Sequence, residues 1–395
     1  MSDKKEFSIQ TSLIHSNGVD KETGAVSTPI HHATTFHQSD FDQYGNYDYS
    51  RSGNPTREKV EEAIAELEGG VRGFAFSSGM AAISTSFLLL SGGDHVLVSE
   101  EVYGGTYRMI TEVLTKFGIE YSFVDMKDLH EVACAIRPNT KVIYMETPSN
   151  PLLNITDIEG VVKLAKAHGC MTFLDNTFMT PLLQRPLSLG VDVVLHSATK
   201  FLAGHSDVLA GLAVTGNEEI AKKLAFLQNS FGAVLGVQDC WLLLRGMKTL
   251  HVRLKESSES AFKIARFLEK RGEVEHVFYP GLTYHQGHEI QVRQAEGPGA
   301  VLSFRLKGAE EVKQLIDNIN IPVFAVSLGA VESILSYPSR MSHASMPREE
   351  RERRGITDGL LRLSVGLENV DELIADLSKG LDAIKLTKPS RIINL

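Results

Sequence analysis

The chain has 395 residues, 43% of them hydrophobic and 23% charged, which excludes a disordered, collagen-like or coiled-coil protein. At roughly 100 to 200 residues per domain this length predicts two or three domains rather than one small stapled module. The 40 Lys and Arg against 49 Asp and Glu leave a net charge of −9, so the basic excess needed to hold a phosphate backbone is missing and nucleic acid is not an expected partner.

Residues 1–56 are rich in Ser, Thr, His, Tyr and Asn with little periodicity, and their start, MSDKKEFSIQ, has no signal-peptide core. So long a structureless arm is unusual within one compact domain, and it is predicted to pack across another subunit. A first helix then shows its punctuation: Asn54 as N-cap, Pro55 in the first turn, Val60, Ile64 and Leu67 on one face, and Gly69-Gly70 as a stop. Short apolar runs follow at Arg72–Phe76, His95–Val98, Tyr121–Val124, Lys141–Met145, Met171–Leu174, Val191–Leu195 and Val208–Val214. These read as seven buried strands separated by helices, hence an α/β fold with a mainly parallel sheet covered on both faces.

A helical stretch from about Gln238 to Arg271 leads to a second region with strand-like runs at Val301–Leu306, Val323–Val326 and Leu361–Val365 and helices near 308–319 and 370–385. This is a smaller α+β domain. The organisation expected is an arm (1–56), a large domain (57–245) and a small C-terminal domain (246–395). The charged run Pro347–Arg354 places Glu349 and Glu350 four residues before Arg353 and Arg354, the pattern of a solvated helix with paired charges. The longest apolar runs, such as Phe87–Leu90, fall far short of the roughly 20 residues a spanning helix needs, so no membrane role is expected. Cys134, Cys170 and Cys240 stand far apart, which fits reduced thiols in the cytoplasm. The 14 histidines include no H-E-x-x-H, so a metal hydrolase is not supported and no metal is expected. Nor is there a G-x-G-x-x-G turn or a nucleotide-binding P-loop.

In open parallel sheets, functional groups gather beyond the carboxyl ends of the strands. Three such ends are polar here: Ser77-Ser78-Gly79-Met80-Ala81-Ala82, Asp175-Asn176-Thr177, and His196-Ser197-Ala198-Thr199-Lys200. Taken singly they read as a tight turn, a helix N-cap and a surface lysine. Together they supply free N–H groups at a helix N-terminus for a phosphate, an acid, hydroxyls and an amine. That combination suits pyridoxal phosphate, whose aldehyde forms a Schiff base with a lysine and whose ring nitrogen an acid keeps protonated.

The stretch DVVLHSATKFLAGHS, residues 192–206, resembles the cofactor-lysine signature of the Cys/Met-metabolism family of pyridoxal-phosphate enzymes. Further family landmarks occur in order: YSRSGNPT at 49–56, SSGMAA at 77–82, VYGGT at 102–106, ETPSNP at 146–151, SLG at 327–329 and LRLS at 361–364. The resemblance implies the type I pyridoxal-phosphate transferase fold. It makes Lys200 the Schiff-base lysine and Asp175 the partner of the pyridine nitrogen, with Tyr103 stacked on the ring. Gly79 and Met80 would offer backbone N–H groups to the phosphate, Ser197 and Thr199 their hydroxyls, and Asn150 would lie near the phenolic oxygen. Tyr49 and Arg51 match residues that reach the neighbouring subunit's phosphate, so the resemblance implies a dimer as the catalytic unit and dimers paired into a tetramer.

Arg362 lies in an alternating strand and suits bidentate capture of an amino-acid carboxylate, an internal salt bridge being the plainer alternative. The resemblance gives it the substrate role, assisted by Ser327. The branch that splits L-cystathionine between Cβ and sulfur, a β-elimination, looks most similar, with γ-synthases and γ-lyases close by. Gly105 stands where methionine γ-lyases typically carry cysteine. Glu332 occupies a position where an acid is familiar in γ-type relatives and absent from some β-lyases.

Overall fold

The computed structural model describes residues 7–16, 18–344 and 346–384. The ends of the predicted arm and of the small C-terminal domain, residues 1–6 and 385–395, lie outside the described residues. All seven predicted strands of the large sheet form: β1 Arg72–Phe76, β2 His95–Ser99, β3 Glu120–Val124, β4 Thr140–Glu146, β5 Met171–Asp175, β6 Val193–Ser197 and β7 Gly211–Thr215. Their order is β1-β7-β6-β5-β4-β2-β3. The four pairings from β6 to β3 are parallel, while β7 runs antiparallel to both its neighbours. This mixed α/β sheet is the fold expected. β2 and β7 are buried along their whole length, because helices cover both faces and leave no solvated side to impose alternation.

The helix Pro55–Glu68 begins where expected: the Asn54 side chain accepts the N–H groups of Thr56 and Arg57, and Gly69 ends the helix at φ 74°. Its Val60, Ile64 and Leu67 are buried in a core shared with β7. Each such side chain contributes about 1.5–3 kcal/mol relative to exposure. On the other face, Phe74, Phe76, Phe87, Tyr144 and Phe173 pack together.

A second sheet has the order β10-β11-β12-β9-β8, from β8 His276–Phe278, β9 Val301–Arg305, β10 Val323–Phe324, β11 Ile334–Ser336 and β12 Leu360–Ser364. Three local expectations need correction. The arm contains a helix, Ile9–His15, whose Leu13 is buried. The stretch expected as one helix from about Gln238 is two, Val237–Met247 and Leu250–Leu268.

The charged helix, Arg348–Arg353, is not simply a solvated one. Arg354 is buried, lies over the Tyr107 and Phe123 rings at 5.5 and 4.9 Å and donates to the Glu100 carbonyl. The run therefore docks onto the large sheet through its cations, with Glu350 neutralising Arg354 at 2.6 Å.

Candidate functional site

The register aligns Glu146 with Asp175 and Asp175 with Leu195, so β4 and β5 end level in Glu146 and Asp175 while β6 runs two residues further to Ser197 at the same edge. β1 delivers the helix Gly79–Phe87 to the same edge, capped by Ser78, whose hydroxyl accepts the Ala81 N–H at 3.1 Å. The first-turn N–H groups of Gly79 and Met80 have no acceptor within a helix. A Cβ on Gly79 would lie 2.9 Å from the Ser197 Cβ and 3.0 Å from its Oγ. Only glycine leaves this helix start open against Ser197, as close approach of an anion requires.

Asp175 is buried, and burial pushes its carboxyl up, opposed by the Thr177 N–H at 3.0 Å and by His196. Asp175 is therefore not the helix N-cap that its local sequence offers: its carboxylate closes a turn on the Thr177 N–H, and the next helix, Thr180–Leu183, has Met179 at its cap. The His196 Nε2–H in turn donates to the buried Glu68 carboxylate, 2.7 Å away, and Asn176 donates to the same oxygen.

Lys200 follows β6 and its Nζ donates to the Ser327 hydroxyl at 2.7 Å. Burial and the nearby Arg362 lower its pKa to about 8, while Asp175 acts in the other direction. Thr199 is occupied within the chain: its hydroxyl accepts the Ala210 N–H at 3.0 Å and faces the Ala210 carbonyl at 3.2 Å. Arg253 was not anticipated. Its guanidinium donates to the carbonyls of Phe201, at 2.8 Å, and Leu202, and to that of Gly246, pinning the segment that follows Lys200. No local pattern marks it out, since the carbonyls through which it holds the lysine segment lie about fifty residues away in the chain.

Arg362 sits in β12, opposite Ser336 and Ser303. It is 3% exposed. Its Nη1 donates to the Asn150 Oδ1 at 2.8 Å and its Nη2 to the Ser327 carbonyl at 2.7 Å and the Ser336 hydroxyl at 3.2 Å; its Nε has no partner. No carboxylate among the described residues forms an ion pair with it, so the salt-bridge alternative does not hold. Burial lowers its pKa to about 10. A buried cation with neutral acceptors and an orphaned N–H is built for an incoming carboxylate.

Tyr103 is 41% exposed, and its N–H is held by the Glu146 carboxylate at 2.9 Å. A Cβ on Gly105 would lie 2.5 Å from the Tyr103 ring, so the glycine leaves that ring its place. Glu332 accepts the Ser206 hydroxyl and lines a cleft of about 510 Å³ together with Thr199 and Ser327. Tyr49 and Arg51 are not brought to this cluster within one chain. Both are exposed, Arg51 lying over the Tyr49 ring at 5.6 Å and donating to the Asn229 carbonyl.

These residues fit pyridoxal phosphate: an open helix N-terminus beside a hydroxyl, a buried acid at a strand end, and an amine of lowered pKa. The profile of the family described as Cys/Met metabolism PLP-dependent enzyme matches residues 10–382. The chain is 67% identical over 382 residues to cystathionine beta-lyase MetC of Bacillus subtilis (strain 168), covering 96% of this chain and 98% of that one. It is 50% identical over 377 residues to cystathionine gamma-lyase of the same organism, covering 95% and 99%. Among solved structures, cystathionine gamma-lyase from Lactobacillus plantarum, complexed with L-serine, superposes with a TM-score of 0.94 at 47% identity over 96% of this chain and 100% of that one. The chain belongs to the Cys/Met metabolism family of PLP-dependent enzymes, and its cofactor is pyridoxal 5'-phosphate.

Proposed function

We propose that this enzyme is a carbon–sulfur lyase that splits L-cystathionine at Cβ, releasing homocysteine, pyruvate and ammonia, a cystathionine β-lyase activity. The observation that carries this reading is the meeting of Lys200 and Arg362 on Ser327: a base and a carboxylate receptor held one residue apart. The 67% identity to a cystathionine beta-lyase supports the choice of substrate.

Bound pyridoxal phosphate supplies an aldehyde and a ring that accepts electrons. Gly79 and Met80 N–H groups with the Ser197 hydroxyl would hold its phosphate, while Thr199, its hydroxyl committed to Ala210, braces the turn beside them; Asp175 would hold the ring nitrogen, and Tyr103 would pack on its face, with Asn150 near its phenolic oxygen. Arg362 and Ser327 hold the substrate carboxylate, which orients the Cα–H bond toward Lys200. Lys200 Nζ, neutral at mildly alkaline pH because its pKa is about 8, removes the Cα proton as general base. Lys200 or Tyr103 then gives a proton to the departing sulfur. Glu332, at the cleft wall, faces the distal half of the substrate.

Tyr49 and Arg51, exposed on the arm, would complete the site of a second copy, which makes a dimer the catalytic unit and pairing into a tetramer its natural extension. Among the described residues no helix is long and apolar enough to cross a membrane, and three unpaired cysteines suit the cytoplasm. Glu332 favours a second reading, γ-elimination, in which a further proton leaves Cβ. Product analysis decides: homocysteine with pyruvate from L-cystathionine supports the β-lyase, whereas cysteine with 2-oxobutyrate overturns it.

A further inference from the structure

Two carboxylates cross between the loop that carries Tyr103 and the loop that carries Asn150. Glu146, the last residue of β4, accepts the Tyr103 N–H at 2.9 Å. Glu101, two residues before Tyr103, reaches back and accepts from the Ser149 hydroxyl at 2.6 Å and the Asn154 amide at 2.5 Å. The Ser149 hydroxyl also accepts the Asn154 N–H at 3.0 Å, closing a small ring of hydrogen bonds. The residue after Ser149 is Asn150, whose Oδ1 receives Arg362.

Neither acid takes part in the chemistry derived above, and burying a carboxylate costs free energy that a neutral acceptor would avoid. Glu146 is 5% exposed. We infer that Glu146 and Glu101 are positioning residues, a reciprocal clasp that fixes Tyr103 relative to the Asn150–Arg362 carboxylate receptor. The inference rests on the roles given to Tyr103 and Arg362 above. Through the clasp, a displacement of the tyrosine loop is transmitted to Asn150, so loss of one hydrogen bond disturbs both cofactor packing and carboxylate capture.

The test uses holoenzymes of Glu146→Ala, Glu146→Gln and Ser149→Ala, with glycine as a bound amino acid that has no leaving group. The readouts are the circular dichroism that the protein induces in the cofactor band and the glycine Kd from its spectral titration. Glu146→Ala is expected to alter the induced band and weaken glycine binding about tenfold. Glu146→Gln keeps an acceptor oxygen for the Tyr103 N–H and should restore both readouts. Ser149→Ala, which removes a single oxygen, should weaken glycine binding about threefold. An unchanged band and glycine Kd in Ser149→Ala, or a Glu146→Gln protein as impaired as Glu146→Ala, overturns the clasp. A wild-type protein that shows no cofactor band would instead overturn the functional reading itself.

Discussion

The Lys200 amine donates to the Ser327 hydroxyl across 2.7 Å, while the carbonyl of Ser327 accepts Arg362 at the same separation. Two cations from different sheets therefore converge on one residue, which holds a φ of 94° to serve both. The nearby positive charge and the burial act together to lower the Lys200 pKa to about 8.

The attacking form of a lysine is the neutral amine. Uptake of pyridoxal phosphate by the cofactor-free protein should accordingly accelerate as pH rises, with a midpoint near 8 rather than at the ordinary 10.5. Arg362→Leu removes a cation and should move the midpoint upward; Asp175→Asn removes an anion and should move it downward. Stopped-flow absorbance of cofactor binding across pH 6.5 to 10.5 measures all three. A wild-type midpoint at the ordinary lysine value would show that Lys200 is not desolvated.

Arg362→Met separates substrate capture from stability. Each hydrogen bond from a charged group is worth about 1.5–3 kcal/mol, so loss of a bidentate carboxylate contact should raise KM for cystathionine roughly 100-fold. Stability should move little, because removing a buried unpaired charge offsets the loss of donors to Asn150 and Ser327. Calorimetry should therefore find Tm within about 4 °C of wild type. A much larger fall in Tm would mean that Arg362 is chiefly a structural residue.

How much of this could be read from the chain follows from where the partners lie. The large sheet was legible because its strands read as short apolar runs, buried along most of their length except in the edge strand β3, and because β4, β5 and β6 end in polar residues at the site edge. β8 and β11 were not, being three residues each, too short for a period to show. Lys200, Asp175 and Gly79 stand at strand or helix ends, where residue type and position speak together. Glu101, Glu146 and Arg253 act on groups 48, 43 and 52 residues away along the chain, and no local pattern encodes such pairs. The arm helix escaped notice for a related reason: its burial rests on Leu13 reaching a core built by distant elements.

Arg253 tests the support behind Lys200. Its planar fork satisfies three carbonyls at once, and the left-handed Gly204 (φ 74°) leaves it room, since a Cβ there would lie 2.1 Å from Nη1. Arg253→Ala takes the donors from the Phe201 and Leu202 carbonyls, while that of Gly246 keeps Thr249, and should cost about 1–3 kcal/mol of stability. It should also loosen the lysine segment, lowering kcat more than it raises KM. Arg253→Lys, a point charge that cannot span the same carbonyls, should recover part of the stability and little of the rate. Urea unfolding beside steady-state kinetics checks both. Equal kcat in Arg253→Ala and wild type would remove the positioning role.

Glu101 makes the stability pH-dependent in a direction opposite to that of a paired surface acid. Burial pushes its carboxyl from 4.5 up to about 7, against the pull of the Ser149 hydrogen bond and of Lys127. The folded state then binds this proton more tightly than the unfolded chain. Its contribution is fully present below about pH 4.5 and is lost as pH rises through about 7. Glu101→Gln carries no titrating proton, so its Tm should gain on wild type between pH 5 and pH 8, whatever the offset at the acidic end. Thermal melts of both proteins at those two values measure the change directly. A wild-type to Glu101→Gln difference that stays constant across the interval would mean that Glu101 is already ionised at pH 5, and that its ring with Ser149 and Asn154 is held by a carboxylate throughout.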